Sequence, residues 1–218
     1  TLDHEFNITG VFAGDLEAAH LTAADFLTSY VGIPVEAGYD AVIVHGGFVG
    51  KSHYQAGKAA VTASTIIRSG GMVLLVSDNT DADPIGSLNY RTGIQLLKII
   101  GPQKMLRLLK SPDWTFLPEQ WQVQMWCKLF NLVSFDRFFY YSPQFGAGDY
   151  ASVPGLGANS LIAAGGSENA ENGDVKVVIE KGYAAIRSRL IAEGITSPRI
   201  AYLKDGPYGI PLVSEENV

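Results

Sequence analysis

The residues best suited to chemistry lie in one stretch, residues 46–59, which reads GGFVGKSHYQAGKA and follows the apolar run DAVIV. Its Gly-Lys-Ser segment looks like the end of a phosphate-binding loop. Such a loop needs a glycine at the position where this chain has His45, because glycine lets the backbone N–H groups fold around a phosphate. The mismatch argues against a nucleotide triphosphate site and directs attention to the side chains that follow the loop.

Those side chains are Tyr54, Gln55 and Lys58. Residues three and four apart are neighbours on a helix, so Lys58 would lie beside both Tyr54 and Gln55. A lysine in the first turns of a helix opposes the helix dipole, which is mildly unfavourable unless an anion is present. A cation with two hydrogen-bonding groups at a helix start suits a small carboxylate. His45, at the end of the preceding strand, could orient the same substrate.

A purely structural interpretation of the same stretch remains open. Two glycines would end a strand tightly, Ser52 and Gln55 would form a capping box, and Lys58 would be an ordinary solvated side chain. His45 and His53 together suggest a metal site, but the sequence offers no third ligand near them, so a metal is not favoured.

Four apolar segments are typical of buried strands: DAVIV, MVLLVS, DRFFYYS and RIAYLKDG. Helices are predicted at residues 52–68, 88–100 and 102–110, in LPEQWQVQMWCKLFNLV with Pro118 in its first turn, and in DVKVVIEKGYAAIRSRLIAEG. An earlier helix, capped by Asp15, follows two short strands around the turn DHEFN, and no element is predicted in the glycine-rich residues 146–166.

This order of strands and helices predicts right-handed crossovers. The expected fold is therefore α/β, with a mostly parallel, Rossmann-like sheet and helices on both faces. Ligands in such sheets bind at the carboxyl ends of the strands, and the loop after DAVIV is such a place.

Composition narrows the class of protein. The 218 residues carry a formal net charge of −6, which argues against a nucleic-acid partner. A single cysteine, Cys127, fits a reducing compartment, so we expect a cytoplasmic protein. No apolar run is long enough to cross a membrane, and the start has no signal-peptide layout. Because the sequence has no initiator Met, we interpret it as a piece of a longer polypeptide.

Four segments occur in an order that resembles a known family. They are GG…YQAGKA after a buried strand, FAGDLEAAH near the start, PEQWQVQ at Pro118 and DGPYGIPLV near the end. In these segments the chain resembles the carboxy-terminal part of the nickel-dependent lactate racemase family, which comprises nickel-pincer racemases and epimerases. The resemblance extends over nearly the whole chain at low overall similarity, and no single motif carries it alone.

The resemblance implies a racemase or epimerase of small 2-hydroxy acids. The family's Tyr-Gln and Lys fall on Tyr54, Gln55 and Lys58, and its tryptophan falls on Trp121. Lys58 would then be catalytic, and Tyr54, Gln55 and Trp121 would bind the substrate together with His45.

The resemblance also implies a cofactor and a domain layout. The cofactor is a nickel-pincer nucleotide, a pyridinium mononucleotide carrying nickel, which the family holds in an amino-terminal domain without a counterpart in this sequence. The isolated chain is therefore expected to be inactive and to bind neither cofactor nor metal. Residues 1–38 and 199–218 would form a small subdomain from the two chain ends, and residues 39–198 the substrate-closing domain. Apolar surface such as GIPLV would then be exposed and favour a homo-oligomer.

Two loops depart from the family pattern. FVGKSH stands where relatives have a loop one residue longer with a Pro and an Asp, and DNTDADPIGS replaces a glycine-rich acidic segment. Both would face the substrate, so we expect a 2-hydroxy acid other than lactate. Arg91 could bind a carboxylate or be solvated. Of the two tryptophans Trp121 and Trp126, Trp126 is the one expected to lie in the core. The alternative function is a non-catalytic small-molecule-binding or interaction module that keeps the fold.

Overall fold

The computed structural model describes residues 1–3, 5–36, 38–165, 174–204 and 206–213. Its elements in chain order are α1 (Leu16–Val31), β1 (Gly32–Val35), β2 (Tyr39–His45), α2 (His53–Ser64), β3 (Ile67–Val76), α3 (Leu88–Ile100), α4 (Pro102–Leu109), α5 (Gln120–Phe130), β4 (Phe138–Tyr141), α6 (Ala147–Ser152), β5 (Leu156–Gly157), α7 (Ala158–Ala164), α8 (Val175–Ala192), β6 (Ile200–Leu203) and β7 (Ile210–Val213). Short 3-10 turns at Gly47–Val49 and Phe135–Arg137 precede α2 and β4. Within the described ranges, none of the helices combines the length and the apolarity that crossing a membrane requires.

Five strands form the main sheet in the order β5-β4-β3-β2-β6, and every neighbouring pair is parallel. Residues 41–44, 72–76 and 138–141 of its three central strands are all buried. Continuous apolar strands of this kind need helices on both faces of the sheet. The predicted α/β fold with a mostly parallel sheet is confirmed.

The strands send alternate side chains into two separate cores, since successive residues of a strand point to opposite faces. Val42 and Val44 of β2 pack with residues of α2, α3, α4 and α5. Ala41 and Ile43 pack with residues of α7 and α8. The end of β2 therefore lies between two different layers of helices.

The chain ends form a second, smaller sheet. β1 and β7 pair in parallel, with Gly32 opposite Ile210. By contrast β6, which belongs to the range 199–218 assigned to the chain-end subdomain, pairs with β2 in the main sheet. The division into residues 1–38, 39–198 and 199–218 stays a prediction, and residues 4, 37, 166–173, 205 and 214–218 lie outside the described ranges.

The predicted helix 52–68 ends earlier than expected, at Ser64. Three β-branched residues follow, 65–67, and they favour extended backbone, so β3 begins at Ile67. Gly70 and Gly71 lie inside β3. Gly70 has a φ of +73°, and the register between β2 and β3 shifts across this segment.

Two further boundaries were tested by the structure. Asp15 caps α1 as predicted, with its Oδ1 accepting from two backbone N–H groups at 3.1 Å. Pro118, however, precedes α5, because Gln120 Oε1 accepts from the Leu117 N–H at 2.8 Å and holds a loop there. In the glycine-rich segment the chain forms α6, β5 and α7, and residue 166 lies outside the described ranges.

Candidate functional site

The loop between β2 and α2 packs against residues that follow β3. A Cβ at Gly46 or at Gly50 would come within 2.2 Å of Ser77 Oγ. Ser77 Oγ donates to the Gly50 carbonyl oxygen at 2.7 Å, and Asn79 Nδ2 donates to the same oxygen at 2.8 Å. Both glycines are therefore needed for the close approach of Ser77. This packing accounts for the glycine spacing without a bound phosphate.

A second loop covers the start of α2. The backbone N–H groups of His53 and Tyr54 donate to the carbonyl oxygens of Pro84 and Ile85, at 2.8 and 3.0 Å. The Ser52 side chain makes no capping hydrogen bond. The capping box that the sequence allowed does not form, because a neighbouring loop supplies the acceptors that the helix start requires.

Arg91 anchors that second loop. Its guanidinium forms an ion pair with Asp83, and its Nε donates to the Gly86 carbonyl oxygen at 3.0 Å. Burial alone would raise the pKa of Asp83, but hydrogen bonds from Arg91 and from the Gly86 and Ile85 N–H groups outweigh it and lower the pKa. Arg91, which the sequence offered as a carboxylate ligand, is thus engaged in holding the loop.

Tyr54, Gln55 and Lys58 occupy the first two turns of α2. Tyr54 is half-buried, and its ring lies edge-on to that of Tyr90 with the centroids 5.2 Å apart. Gln55 is half-buried, and its Oε1 has no hydrogen-bond partner among the residues that the structure describes. Lys58 is exposed, and within the same residues its ammonium group forms no hydrogen bond or ion pair. The Lys58 cation is therefore available to a ligand, whereas the Gln55 Oε1 atom is buried.

Helix α5 brings Trp121 to Tyr54. The indole N–H of Trp121 donates to the Tyr54 hydroxyl at 3.2 Å, and the indole stacks on Phe116 with the centroids 6.2 Å apart. The two helices meet at Gly57, where a Cβ would lie 2.5 Å from Gln122 Nε2. Gln122 in turn donates to the Tyr54 carbonyl oxygen. Trp121 stays 49% exposed, so this contact lies at the protein surface.

Beneath Tyr54 lies a buried aromatic network of His53, Tyr90, Trp126 and Tyr140, each 0% exposed. His53 stacks on Trp126 at 4.5 Å, and its Nδ1 is 2.7 Å from the Tyr90 hydroxyl. Trp126 Nε1 donates to the same hydroxyl at 2.8 Å. Since an indole N–H can only donate, the Tyr90 oxygen accepts from it, and the same hydroxyl is hydrogen-bonded to His53 Nδ1. Burial lowers the pKa of His53 to about 3, so the ring is neutral and fixes the first turn of α2.

His45 lies on the other face of the sheet. It follows Ala41 and Ile43 in the alternation of β2, and those two side chains pack under α8. Its Nδ1 accepts from the Gly47 N–H at 3.0 Å. His45 lines a cleft of about 570 Å³ between the end of β6 and the start of α8.

Four of the five predicted site residues therefore belong to α2 and α5, and His45 is separated from them by the sheet. The role of all five residues in binding a substrate stays a prediction. The sequence did not point to Tyr90 or Gln122, which hold Tyr54 in place, because their partners come from other helices and no local pattern reveals them. Phe116 could have been noticed as an aromatic residue close to Trp121.

The described residues do not fit a metal centre. Within their ranges, no three His, Cys, Asp or Glu side chains come together in a way that could hold an ion. Nδ1 of His53 is engaged by Tyr90, and Nδ1 of His45 by the Gly47 N–H. A nickel-pincer cofactor, which the sequence resemblance implies, would need its ligands from elsewhere.

Comparison with known proteins gave matches in sequence and in structure. No protein-family model matches the sequence. The chain is 28% identical over 130 residues to the lactate racemase of Lactiplantibacillus plantarum, which covers 59% of this chain and 30% of that protein. It is similar in structure to the lactate racemase apoprotein from Thermoanaerobacterium thermosaccharolyticum, with a TM-score of 0.66 and 18% identity over 97% of this chain and 44% of that one.

The parallel sheet and its two layers of helices define a Rossmann-like α/β domain, and the solved racemase shares this fold. The sequence match is also to a lactate racemase, so the expected resemblance to that family is confirmed. The chain spans less than half of the length of either relative.

Proposed function

We propose that this chain is the carboxy-terminal, substrate-closing part of a racemase or epimerase of 2-hydroxy acids. Lys58 would be its catalytic side chain, and Tyr54, Gln55 and Trp121 would bind the substrate. The observation that carries the proposal is the ammonium group of Lys58, which has no partner among the described residues and lies one helical turn from a tyrosine whose hydroxyl accepts from Trp121. The relationship to the lactate racemases supports the same reaction class.

The chemistry of the substrate matches these groups. A 2-hydroxy acid presents a carboxylate and a hydroxyl oxygen on adjacent carbons. Inverting the configuration at C2 requires the C2–H bond to break and to form again on the opposite face. An ammonium group fixed beside the two oxygens would stabilise the charge that develops on them.

The hydrogen bond between Trp121 and Tyr54 sets the direction in which Tyr54 can act. The indole N–H can only donate, so the Tyr54 oxygen accepts from it and keeps its own proton for another acceptor. In the proposed complex that acceptor is a substrate oxygen. Gln55, whose buried Oε1 has no partner among the described residues, would accept from the substrate hydroxyl after its side chain turns toward the ligand.

The described residues offer no set of metal ligands for the cofactor. The family resemblance implies a nickel-pincer nucleotide carried by an amino-terminal domain, and we propose that a further part of the protein supplies both. This chain would contribute substrate binding and charge stabilisation only.

The substrate itself is proposed to be a 2-hydroxy acid other than lactate. The loop that departs from the family after β3 lies directly against the site, because a Cβ at Gly86 would be 3.1 Å from Tyr54 Cβ. A change of loop at that distance would alter the space available to the substituent on C2.

The test uses a polypeptide that includes the amino-terminal part and is loaded with cofactor. Interconversion of the D and L forms is measured for lactate and for larger 2-hydroxy acids. Lys58→Ala should lower kcat by about 10²–10³, the usual effect of losing one directed donor. Its free energy of unfolding should change by less than about 0.5 kcal/mol, because the side chain is exposed. Lys104→Ala, at an exposed lysine of α4, is the matched control.

Two outcomes would contradict the proposal. A Lys58→Ala variant that turns over at the wild-type rate would remove Lys58 from the mechanism. A wild-type protein that binds 2-hydroxy acids but inverts none of them would instead support the non-catalytic binding module.

Tyr54→Phe should lower the rate less than Lys58→Ala, because the ring and its packing on Tyr90 survive.

A further inference from the structure

Three large apolar side chains lie uncovered beside the proposed site. Leu88, Phe116 and Trp121 are 79%, 63% and 49% exposed. They are called the apolar rim below. A single exposed apolar residue is ordinary, but several at one place mark a surface that binds another molecule. The contacts of the neighbouring residues show that the three belong to one place.

A hydrogen bond between two loops joins the two sides of the rim. The hydroxyl of Ser87, the residue before Leu88, donates to the carboxylate of Glu119. Glu119 precedes Trp121 by two residues, at the start of α5. The first residue of α3 and the first turn of α5 therefore lie side by side, although they are distant in the sequence.

The rim adjoins the groups proposed to bind the substrate. The Trp121 indole stacks on Phe116, and its N–H donates to the Tyr54 hydroxyl at 3.2 Å. Lys58 follows Tyr54 by one turn of α2. A carboxylate held by Lys58 would therefore have Tyr54 beside it and the apolar rim beyond Tyr54.

Phe116 is displayed by a loop that has a fixed shape. Gln120 Oε1 accepts from the Trp114 indole N–H and from the Leu117 N–H, each at 2.8 Å. These two hydrogen bonds hold the backbone on either side of Phe116. A surface that is already ordered loses little conformational entropy when a ligand packs on it, so the exposed ring is suited to binding.

The charges around the rim disfavour a second anionic group on the ligand. Lys58 is assigned to the carboxylate next to C2, and Arg91 is engaged by Asp83. The carboxylate of Glu119 borders the rim through its hydrogen bond to Ser87. It would repel a further carboxylate placed there.

We infer that the substrates are 2-hydroxy acids whose substituent on C2 is large and uncharged, either aromatic or branched. The substituent packs on the apolar rim, and Phe116 is a residue that determines specificity. The methyl group of lactate is too small to cover these side chains. The inference rests on the proposed function, because it takes the position of the carboxylate at Lys58 from it.

The experiment compares four acids on the polypeptide that includes the amino-terminal part and carries cofactor. The acids are 3-phenyllactate, 2-hydroxy-4-methylpentanoate, lactate and malate. Calorimetry gives the Kd of each acid, and interconversion of the D and L forms gives kcat and KM. For at least one of the two larger acids, kcat/KM should exceed the values for lactate and malate by at least about tenfold, and Kd should follow the same order.

Phe116→Ala separates recognition of the substituent from a structural role. It should raise KM and Kd for the preferred acid by about tenfold and change the values for lactate by less than about twofold. A residue that only supported the fold would affect both acids alike. Ile99→Ala, at a side chain 79% exposed near the other end of α3, is the control and should change neither.

Binding and turnover together distinguish this inference from the proposed function. The inference is overturned if lactate or malate binds as tightly as both larger acids, or if Phe116→Ala affects lactate and the larger acids equally. Inversion of lactate without such a preference would leave the proposed function standing. Preferential binding of a larger acid without inversion would support the inference and contradict the proposed function. Binding of none of the four acids would contradict both.

Discussion

Two aromatic clusters of this protein contain similar residues in opposite environments. The buried aromatic network of His53, Tyr90, Trp126 and Tyr140 is fully enclosed between β-sheet and helices. A second group, here called the chain-end cluster, consists of Phe6, Phe26, Tyr30, Phe48 and Tyr208. Two pairs of its rings are in contact, with centroids 4.9 Å apart for Phe26 and Tyr30 and 5.0 Å apart for Phe48 and Tyr208. Even so, Phe6, Tyr30 and Phe48 are 77%, 69% and 72% exposed.

The difference comes from what packs over each cluster. α2 lies between the main sheet and α5, and half of its residues are buried, whereas α1 has none that are buried. Apolar spacing predicted both helices equally well, because spacing sets which side of a helix is apolar and not what covers it. The chain-end cluster instead borders a hollow of about 590 Å³. The buried aromatic network is therefore part of a fully packed core, and the chain-end cluster is an exposed apolar surface that another molecule could contact.

The comparison predicts its largest effect at Trp126. Trp126→Ala should lower the free energy of unfolding by about 3–5 kcal/mol, since it leaves a cavity and removes the stacking partner of His53. Trp121→Ala, five residues earlier on the same helix and 49% exposed, should cost less than about 1 kcal/mol. Chemical denaturation of both variants measures the difference. Equal losses would mean that the network is no more stabilising than a surface contact.

A smaller effect is expected when only the central hydroxyl is removed. Tyr90→Phe keeps the ring but leaves the Trp126 N–H and His53 Nδ1 without their buried partner. Each unsatisfied group costs about 1–3 kcal/mol, and repacking of the rings would recover part of this, so we expect a loss of about 2 kcal/mol. Tyr30→Phe in the chain-end cluster is the control and should be neutral. A neutral Tyr90→Phe would show that these hydrogen bonds contribute nothing to stability.

The sequence predicted the fold better than it predicted these environments. Runs such as DAVIV and MVLLVS are typical of buried strands in a helix-covered sheet, so they predicted the parallel sheet. Because β2 is buried on both faces, however, its apolar pattern does not show which helix packs on which face of the sheet. His45 was therefore predicted to lie in the same site as Tyr54, although the sheet lies between the two residues. The hydrogen bonds of Tyr90 to Trp126 and His53 join three helices, and the pairing of β1 with β7 joins the chain ends. Neither contact can be predicted from the residues next to it in the sequence.

The buried network also predicts a pH dependence. The folded pKa of His53 is about 3, below its ordinary value of 6.5, so the unfolded chain takes up a proton that the folded chain excludes. Stability from this group is therefore present above pH 6.5 and is lost as the pH falls toward 3, by about 1.4 kcal/mol per pH unit. Denaturation between pH 6.5 and 5, above the range of most carboxylates, should show this slope.

The matched variants separate His53 from other groups. His53→Phe preserves a ring against Trp126 but cannot take up a proton, so the slope between pH 6.5 and 5 should nearly disappear. His20→Gln, at an exposed histidine of α1, should keep the slope of the wild type. If His53→Phe keeps it as well, protons are taken up elsewhere and His53 is not excluded from protonation in the folded state.

Substitutions in the chain-end cluster are expected to have the smallest effect on stability and the clearest effect on self-association. Its most exposed ring, Phe6, sits in a turn that is built around Asp3, whose Oδ1 accepts from the Glu5 and Asn7 N–H groups at 2.9 Å. Phe6 itself has a φ of 64°, a conformation that non-glycine residues rarely adopt. The turn therefore displays an aromatic ring to solvent in a defined orientation.

Two opposing forces govern what this surface does in the isolated chain. Its exposed rings favour self-association, but residues 1–50 contain seven Asp and Glu and no Lys or Arg, so two copies repel each other there. We expect association that strengthens with salt, as sedimentation at several concentrations would show. Phe6→Ser should weaken it while changing the free energy of unfolding by less than about 0.5 kcal/mol. Phe116→Ser, at a ring 63% exposed outside the chain ends, should leave association unchanged. If the two variants behave alike, exposure alone and not the chain-end cluster drives association.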